Sequence, residues 1–324
     1  MSWAGGWGQA LKDAVSEPFS RMTGIPVRHV VNIGLKLPAG LLKALHQEKR
    51  PPFDVVWSNS VAALQMATQK YCDPLDEETA PSLKSLFERA RPSGFESCWP
   101  FASAYVVYYV LAYRTEVFPL RAPDTWEVIL EPRFKNKVAL YPGGNGIYPL
   151  AQILGGGALE DIPWIMEPCW DYLHTLRPQV NKLDYSIAMG EMIRRRELDI
   201  AFRALTNAIA FRNEGLDVLW AAPKEGVTDT TDALWVPRNL PENVAYWAKQ
   251  YISFALSREV QQNWCCKLGT MPMNRQASTP AMLSEMSMLP KAADDFRGVL
   301  HISDKIKMTY ETAWEASFSE IFSK

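Results

Sequence analysis

The sequence lacks the residue clusters and loop motifs on which common enzyme and metal sites depend. Its four histidines show no metal-ligand spacing and no HExxH pattern, and its five cysteines include no CxxC pair. The patterns GxSxG, GxxxxGK[ST] and GxGxxG are also absent. We therefore expect no catalytic residue, no metal site and no cofactor.

The sequence also lacks long apolar runs and an excess of charge of one sign. A formal net charge of −2 gives no support for nucleic acid or an anionic membrane as a partner. The longest nearly unbroken apolar stretch, residues 101–113, is shorter than the roughly 20 residues of a membrane-spanning helix, and its valines and tyrosines predict a buried strand. The cysteine spacing assigns no disulfide. The adjacent Cys265 and Cys266 are expected to lie on a helix formed by residues 258–268.

What is present is a soluble globular composition, with 48% hydrophobic residues, in a chain long enough at 324 residues for two lobes. Strands alternate with helices, which predicts an α/β sheet with mostly parallel strands. The predicted strands are 26–31, 53–57, 105–113, 137–140, 199–203, 218–221 and 232–236. The predicted helices are 35–47, 149–154, 164–176, 242–256 and 258–268, with two or three more in 282–323.

The chain opens with three glycines and two tryptophans in residues 2–8. Such a segment predicts a loop whose backbone can approach a ligand and whose rings can cover it. A helical pattern follows and ends at Gly24. The N-terminus of this helix would point back at the loop, an arrangement that suits a small polar ligand.

Six segments in a fixed order resemble the solute-binding proteins of ATP-driven importers, specifically the spermidine/putrescine-binding type and its relatives. The resemblance extends over roughly residues 3–275, and it rests on the order and spacing of the segments together. They read GGWGQALKDAVSEPFSRMTGIPV, FDVVWSNSVAALQMATQKYCDPLD, LAYRTEVF…PDTWEVILEPRFKNKVAL, ELDIAFRALTNAIAFRNEGLDV, PKEGVTDTTDALWVP and AKQYISFALSREVQQNWCCKLGTMPMN.

The resemblance implies an α/β fold of the type II periplasmic-binding class, with two lobes and a ligand cleft between them. Each lobe would be a mixed, mostly parallel sheet flanked by helices. Lobe 1 would comprise residues 1–112 and 233–280, and lobe 2 residues 113–232 and 281–324. The chain would cross between the lobes near Ala112 and near Asp232, and hinge bending would close the cleft on its ligand.

The resemblance also assigns ligand contacts. Trp7, with Trp3, would form an aromatic wall that attracts ammonium groups and packs against aliphatic chains. The carboxylate of Asp232 would receive a ligand amine, unless backbone N–H groups or Arg203 occupy it. Small polar side chains after the strand 53–57 would contact the ligand or merely form a turn; these are Ser58, Asn59 and Ser60.

The second lobe departs from the polyamine-binding pattern. The loop 143–146, which includes Gly144 and Asn145, carries no carboxylate, and as a glycine loop before a helix it suits an anion, or is an ordinary turn. Arg203, at a strand end, suits a bidentate contact with a ligand carboxylate or phosphonate, or a salt bridge to a neighbouring acid. Asp232 and Arg203 together favour a zwitterion such as an amino acid or ω-amino acid over a polycation, or a small carboxylate if Asp232 is occupied within the protein.

Alternatives on the same fold are a polyamine binder and a ferric-ion binder. Iron-binding relatives use paired tyrosines, and Tyr108-Tyr109 is the one such pair, but strand alternation would point these rings to opposite faces. A ligand-sensing domain of a transcription regulator is disfavoured, because no helix-turn-helix segment or basic patch is evident. An enzyme with an unrecognised constellation is the least favoured alternative.

The resemblance further implies partners and a location. The partners would be a small-molecule ligand and the transmembrane subunits of an ABC permease, and the protein would act as a monomer in the periplasm. In this family a full strand and a secretory signal precede the glycine–tryptophan segment. We therefore expect that the chain as written begins within that first strand.

Overall fold

The computed structural model describes residues 1, 5–31, 37–184 and 188–323, so the predicted ligand contact Trp3 lies outside the described residues. A π-helical turn over Lys12–Ser16 joins the first two α-helices, and several short 3-10 turns connect other elements. The α-helices are α1 (Gly5–Leu11), α2 (Glu17–Thr23), α3 (Ala39–His46), α4 (Ser60–Thr68), α5 (Tyr148–Leu154), α6 (Glu167–Leu176), α7 (Ala188–Arg194), α8 (Leu205–Asn213), α9 (Glu242–Ala255), α10 (Arg258–Leu268), α11 (Ala281–Ser284) and α12 (Asp304–Phe322).

The strands are short except for two. They are β1 (Val56–Asn59), β2 (Cys72–Asp73), β3 (Ala102–Arg114), β4 (Val138–Leu140), β5 (Val180–Leu183), β6 (Ile200–Ala204), β7 (Val218–Ala221), β8 (Val227–Pro237), β9 (Met271–Pro272) and β10 (Val299–Leu300). No helix of the described residues is both long enough and apolar enough to cross a membrane.

The chain divides into two compact units. Unit 1 comprises Met1–Val106, Thr230–Leu283 and Lys291–Asp295, and unit 2 comprises Val107–Asp229, Ser284–Pro290 and Phe296–Lys324. The first two divisions fall inside the long strands, within β3 after Val106 and within β8 after Asp229. The sequence placed the corresponding crossings near Ala112 and Asp232.

In unit 1 the pairings described are antiparallel. Strand β1 lies against the second half of β8, with Asn59 opposite Asp232, and β2 pairs with the end of β8. Strand β9 pairs with the start of β3, where Tyr105 lies opposite Pro272. Because neighbouring residues of an extended strand point to opposite faces, this register fixes which side chains of β1, β3 and β8 share a face.

The N-terminal segment differs from its prediction. Gly5, Gly6 and Gly8 belong to α1 and do not form a loop. Packing explains the difference, because Trp7 packs edge-on against both Trp57 and Trp264, and tertiary contacts of this kind outweigh the weak helix propensity of glycine. Gly24 ends α2 in the left-handed conformation, with φ of +75°, as the sequence predicts.

In unit 2 the strands run in both directions. Strand β3 pairs antiparallel with β6 and β7, whereas β4 pairs parallel with β5 and β6, and β10 pairs parallel with β8. The sheet is therefore mixed, as expected: three of the five pairings described in unit 2 are parallel, whereas those described in unit 1 are antiparallel. Helices α7 and α8 pack on it through an apolar cluster that includes Ala112, Ala201, Phe211 and Val218.

Most of the predicted elements are confirmed, some with shifted ends. Strand β7 and helix α10 have the predicted bounds, and α10 carries buried Cys265 beside exposed Cys266. The predicted strand 26–31 is wrong for residues 26–30, which belong to no helix or strand. The tail forms two helices, α11 and α12, within the predicted range of two or three.

Candidate functional site

A chain of two hydrogen bonds in unit 1 ends on the carboxylate of Asp232. The indole Nε1 of Trp7 donates to the hydroxyl of Tyr105 at 2.7 Å, and this hydroxyl donates to Asp232 Oδ2 at 2.6 Å. Tyr105 is fully buried, whereas Trp7 and Asp232 are partly exposed. Burial, and then the charge of Asp232, raises the pKa of Tyr105 well above its ordinary value, so the phenol stays protonated.

Four aromatic rings pack together here, and two of them, Trp7 and Tyr105, belong to this chain of hydrogen bonds. Trp57 and Trp264 meet edge-on at 4.8 Å between ring centroids, and Tyr105 meets Trp264 at 5.0 Å in the same manner. Trp7 meets Trp57 at 5.5 Å and is the only one of the four that is partly exposed. A partly exposed indole on a rigid aromatic bed can pack against aliphatic chains and attract cations.

The three polar residues at the end of β1 have different environments. Ser58 is fully buried, and its hydroxyl donates to the backbone carbonyl of Asn59 and accepts from Trp235 Nε1. Asn59 caps α4, since its Oδ1 accepts from the backbone N–H of Ala62 at 2.8 Å. The buried hydroxyl of Ser60 has no hydrogen-bond partner among the described residues, and such a group is costly unless something satisfies it.

In unit 2 the guanidinium of Arg203 lies inside the protein. Arg203 is only 1% exposed, and its Nη1 donates to the backbone carbonyl of Asp184 at 2.7 Å. The guanidinium lies over the Tyr141 ring, 4.4 Å from the centroid. Among the described residues no carboxylate pairs with it, and its Nε has no hydrogen-bond partner. The salt bridge considered from the sequence is therefore not formed within this part of the chain.

Two tyrosines organise the polar groups beside Arg203. The Tyr141 hydroxyl accepts from the backbone N–H of Ala204 at 3.1 Å and from Asn207 Nδ2 at 3.0 Å. The Tyr109 hydroxyl accepts from Asn145 Nδ2 at 3.1 Å, and the two tyrosine rings meet edge-on at 5.6 Å. The predicted residues Asn145 and Arg203 are thus linked through Tyr109 and Tyr141.

The glycine loop 143–146 is tightly packed. A β-carbon at Gly144 would lie 2.7 Å from the rings of Tyr148 and Phe318, and one at Gly143 would lie 3.1 Å from Glu315 Cγ. Helix α12 therefore places a carboxylate beside a loop that has none of its own. The short α5 begins only at Tyr148, so the geometry does not strengthen the expectation that this loop suits an anion.

Sequence reasoning missed Tyr105, Tyr141 and Glu315. The signal for Tyr105 was its position within an apolar strand, because a buried phenol usually finds a hydrogen-bond partner. Tyr141 follows a strand directly, and this position at a strand end was an available signal. Glu315 has no local signal, because it reaches the loop through the docking of α12.

The tyrosine pair considered for iron is buried in β3, and Tyr109 stacks on Phe202 at 5.2 Å. Within the described ranges, no three His, Cys, Asp or Glu side chains converge in a way that could hold a metal ion. All five cysteines are free thiols.

Unit 1 also contains a cavity of about 500 Å³ that none of the predicted ligand-binding residues lines. Its walls are largely apolar and include Phe19, Val55 and Trp247, and His29 is among its polar groups. The imidazole Nε2 of His29 lies 2.7 Å from Ser16 Oγ. Burial, more than the N-terminal amine or Lys12, lowers the pKa of His29, so this histidine is neutral near pH 7.

The fold defined by these units and strands is that of periplasmic binding proteins. A substrate-binding protein of an ABC transporter from Bradyrhizobium japonicum USDA 110 is 18% identical, with a TM-score of 0.81 over 98% of this chain and 97% of that one. A GABA receptor is 18% identical, with a TM-score of 0.76 over 99% of this chain and 96% of that one. A third structure is that of a protein from Listeria monocytogenes provisionally named a spermidine/putrescine ABC transporter. It is 20% identical, with a TM-score of 0.69 over 97% of this chain and 96% of that one.

The chain belongs to the family of bacterial extracellular solute-binding proteins, whose model matches residues 14–292. No curated protein sequence matches it. The family consists of solute-binding proteins and not of enzymes, so this chain is an extracellular solute-binding protein. Members of this family bind solutes and are periplasmic or extracellular. At these low identities the solved structures establish the fold and not the ligand.

Proposed function

We propose that this protein captures a small solute carrying an amino group, a carboxylate group or both, and delivers it to a membrane permease. A zwitterion such as an amino acid or ω-amino acid is favoured. The observation that carries the proposal is Asp232, a partly exposed carboxylate that a buried phenol holds in place. A fixed carboxylate of this kind is a natural partner for a ligand ammonium group.

Arg203 supports the carboxylate part of the proposal. A buried guanidinium with no acidic partner among the described residues keeps an unneutralised positive charge inside unit 2. Proteins usually pair such a charge, and a ligand carboxylate could supply the missing negative charge. We propose Trp7, Ser60 and Asn145 as further ligand contacts, with Gly144 shaping the loop that carries Asn145 and with Ser58 and Asn59 holding the end of β1.

Thermal unfolding of the full chain against a ligand panel tests the proposal. The panel comprises α-amino acids, ω-amino acids, dicarboxylates and polyamines. A ligand at about one hundred times its Kd stabilises the native state by about 2.7 kcal/mol, which raises Tm measurably. We expect a zwitterion to raise Tm, and we expect this shift to disappear in Asp232→Asn and to shrink in Arg203→Met.

Two matched variants control for the change of charge. Asp54→Asn removes an exposed carboxylate of unit 1, and Arg212→Met removes an exposed arginine of unit 2. Both should keep the ligand-induced rise in Tm. The proposal is contradicted if no compound of the panel raises Tm. It is also contradicted if Asp232→Asn and Arg203→Met respond to the ligand like the wild type.

A polyamine is the second candidate, because of Glu315. This residue lies against Gly143, so unit 2 has a carboxylate beside the loop that the sequence left without one. The relative provisionally named a spermidine/putrescine transporter is consistent with this alternative. If spermidine or putrescine alone raises Tm, and Glu315→Gln removes the effect, the polyamine and not the zwitterion is the ligand.

A further inference from the structure

The direction of each hydrogen bond in the Trp7–Tyr105–Asp232 chain follows from the chemistry of the groups. An indole N–H can only donate, so the Tyr105 oxygen accepts from Trp7. The phenol has one proton, and an ionised carboxylate can only accept, so this proton lies towards Asp232 Oδ2. Tyr105 is therefore a fixed donor to one oxygen of Asp232.

The position of the phenol is as fixed as its direction. Tyr105 is 0% exposed, its ring stacks on Trp57 at 6.4 Å, and it meets Trp264 edge-on at 5.0 Å. Its backbone lies in β3, opposite Pro272 of β9. A side chain confined by packing and by two hydrogen bonds has little freedom to follow a rotation of the Asp232 carboxylate.

The two oxygens of Asp232 are consequently unequal. A guanidinium binds a carboxylate best through two parallel N–H···O bonds, which require both oxygens. A primary ammonium is a compact charge that one oxygen can receive. A donor fixed on Oδ2 therefore hinders a guanidinium, which needs both oxygens, more than a primary ammonium, which needs only one.

We propose that Tyr105 is a positioning residue that makes Asp232 selective for a primary ammonium over a guanidinium. This inference rests on the proposed function, since it concerns the same carboxylate. It adds that Tyr105, which need not contact the ligand, sets which cation is accepted.

The test compares pairs of ligands that differ only in the cationic group. The pairs are γ-aminobutyrate with γ-guanidinobutyrate and putrescine with agmatine, and Kd is measured by titration calorimetry on the full chain. The wild type should bind the amine of at least one pair about tenfold or more tightly than its guanidino analogue. Tyr105→Phe should weaken amine binding and bring the ratio of the two Kd values close to one.

A simple loss of structure would not change this ratio in favour of the guanidinium. The control Tyr251→Phe removes another buried phenol of unit 1, which contacts Ser16 and not Asp232, and it should keep the wild-type ratio. The double variant Trp7→Phe/Tyr105→Phe leaves no orphaned indole N–H, so it serves if Tyr105→Phe alone does not fold.

The outcomes separate the two proposals. If the wild type binds the amines, Asp232→Asn abolishes binding and Tyr105→Phe keeps the preference for the amine, the inference is wrong and the proposed function stands. A wild type that binds both members of a pair equally well also overturns the inference. If the wild type binds none of the compounds, and no member of the wider panel raises Tm, the proposed function itself fails.

Discussion

The guanidinium of Arg203 lies over the ring of Tyr141, 4.4 Å from its centroid. The tyrosine hydroxyl does not bond to the arginine; it accepts from the backbone N–H of Ala204 and from Asn207 Nδ2. One side chain thus supports the arginine with its ring and holds the junction of β6 and α8 with its hydroxyl. The two contributions can be separated by mutation.

Removing the Tyr141 hydroxyl should destabilise unit 2. In Tyr141→Phe the ring remains beneath Arg203, but the Ala204 N–H and the Asn207 amide lose their acceptor. Leaving a buried donor unsatisfied costs about 1–3 kcal/mol, which urea denaturation should detect. Tyr172→Phe is the matched control, because the buried Tyr172 hydroxyl has no hydrogen-bond partner among the described residues. Equal loss of stability in the two variants would contradict this account.

Gly144→Ala should destabilise more than Gly156→Ala. Both glycines have positive φ, +68° and +86°, so each substitution carries backbone strain of about 1–3 kcal/mol. A β-carbon at Gly144 would also lie 2.7 Å from the rings of Tyr148 and Phe318, whereas one at Gly156 meets nothing within 4 Å. Overpacking should add about 1–3 kcal/mol at Gly144 alone. Equal urea midpoints for the two variants would show that the loop yields without cost.

The cysteines of α10 should differ sharply in reactivity. Cys266 is exposed, whereas burial raises the pKa of Cys265 to about 12 and keeps its sulfur protonated and covered. With a thiol-specific disulfide reagent on the native protein, we expect a fast reaction at Cys266. Cys266→Ser should remove this fast phase and Cys265→Ser should keep it. A fast phase that survives Cys266→Ser and disappears in Cys265→Ser would contradict the burial of Cys265.

Glu311 should make the folded state less stable at neutral pH. Burial, more than the neighbouring charge of Glu315, raises the pKa of Glu311 above its ordinary value of 4.5. The folded state therefore binds this proton more tightly than the unfolded state, and it loses stability as pH rises from 4.5 through the folded-state pKa. Glu311→Gln should raise Tm at pH 7, and the gain should vanish at a pH well below 4.5.

The control for this prediction is Glu320→Gln, which removes the same charge from an exposed position of α12. It should change Tm little at either pH. A gain in Glu311→Gln that persists unchanged in acid would mean that packing, and not ionisation, causes it.

Local patterns in the sequence predicted much of the fold. Hydrophobic periodicity and turn residues indicated β7, α10 and the end of α2 at Gly24, because these features depend on neighbours along the chain. The glycine-rich segment 5–8 was predicted as a loop. Its helical state depends on the packing of Trp7 against Trp57 and Trp264, which the local sequence does not encode.

The candidate site was predictable only in part. Asp232 and Arg203 stand at recognisable strand positions, and both remain proposed ligand contacts. Their surroundings arise from long-range contacts, since Tyr105 is 98 positions from Trp7 and 127 from Asp232. Helix α12 brings Glu315 to Gly143 in the same way. One sequence gives no information on which distant side chains meet, so the partners of Asp232 could not be derived from it.

The close packing of Trp57 and Trp264 has an optical consequence. Two indoles whose ring centroids are 4.8 Å apart and whose planes differ by 80° have coupled electronic transitions, which produce a paired signal in circular dichroism. Both rings belong to unit 1 and are fully buried. The paired signal therefore reports the folded state of unit 1 by itself, and its loss on heating, set beside the far-ultraviolet signal of the whole chain, would show whether the two units unfold together.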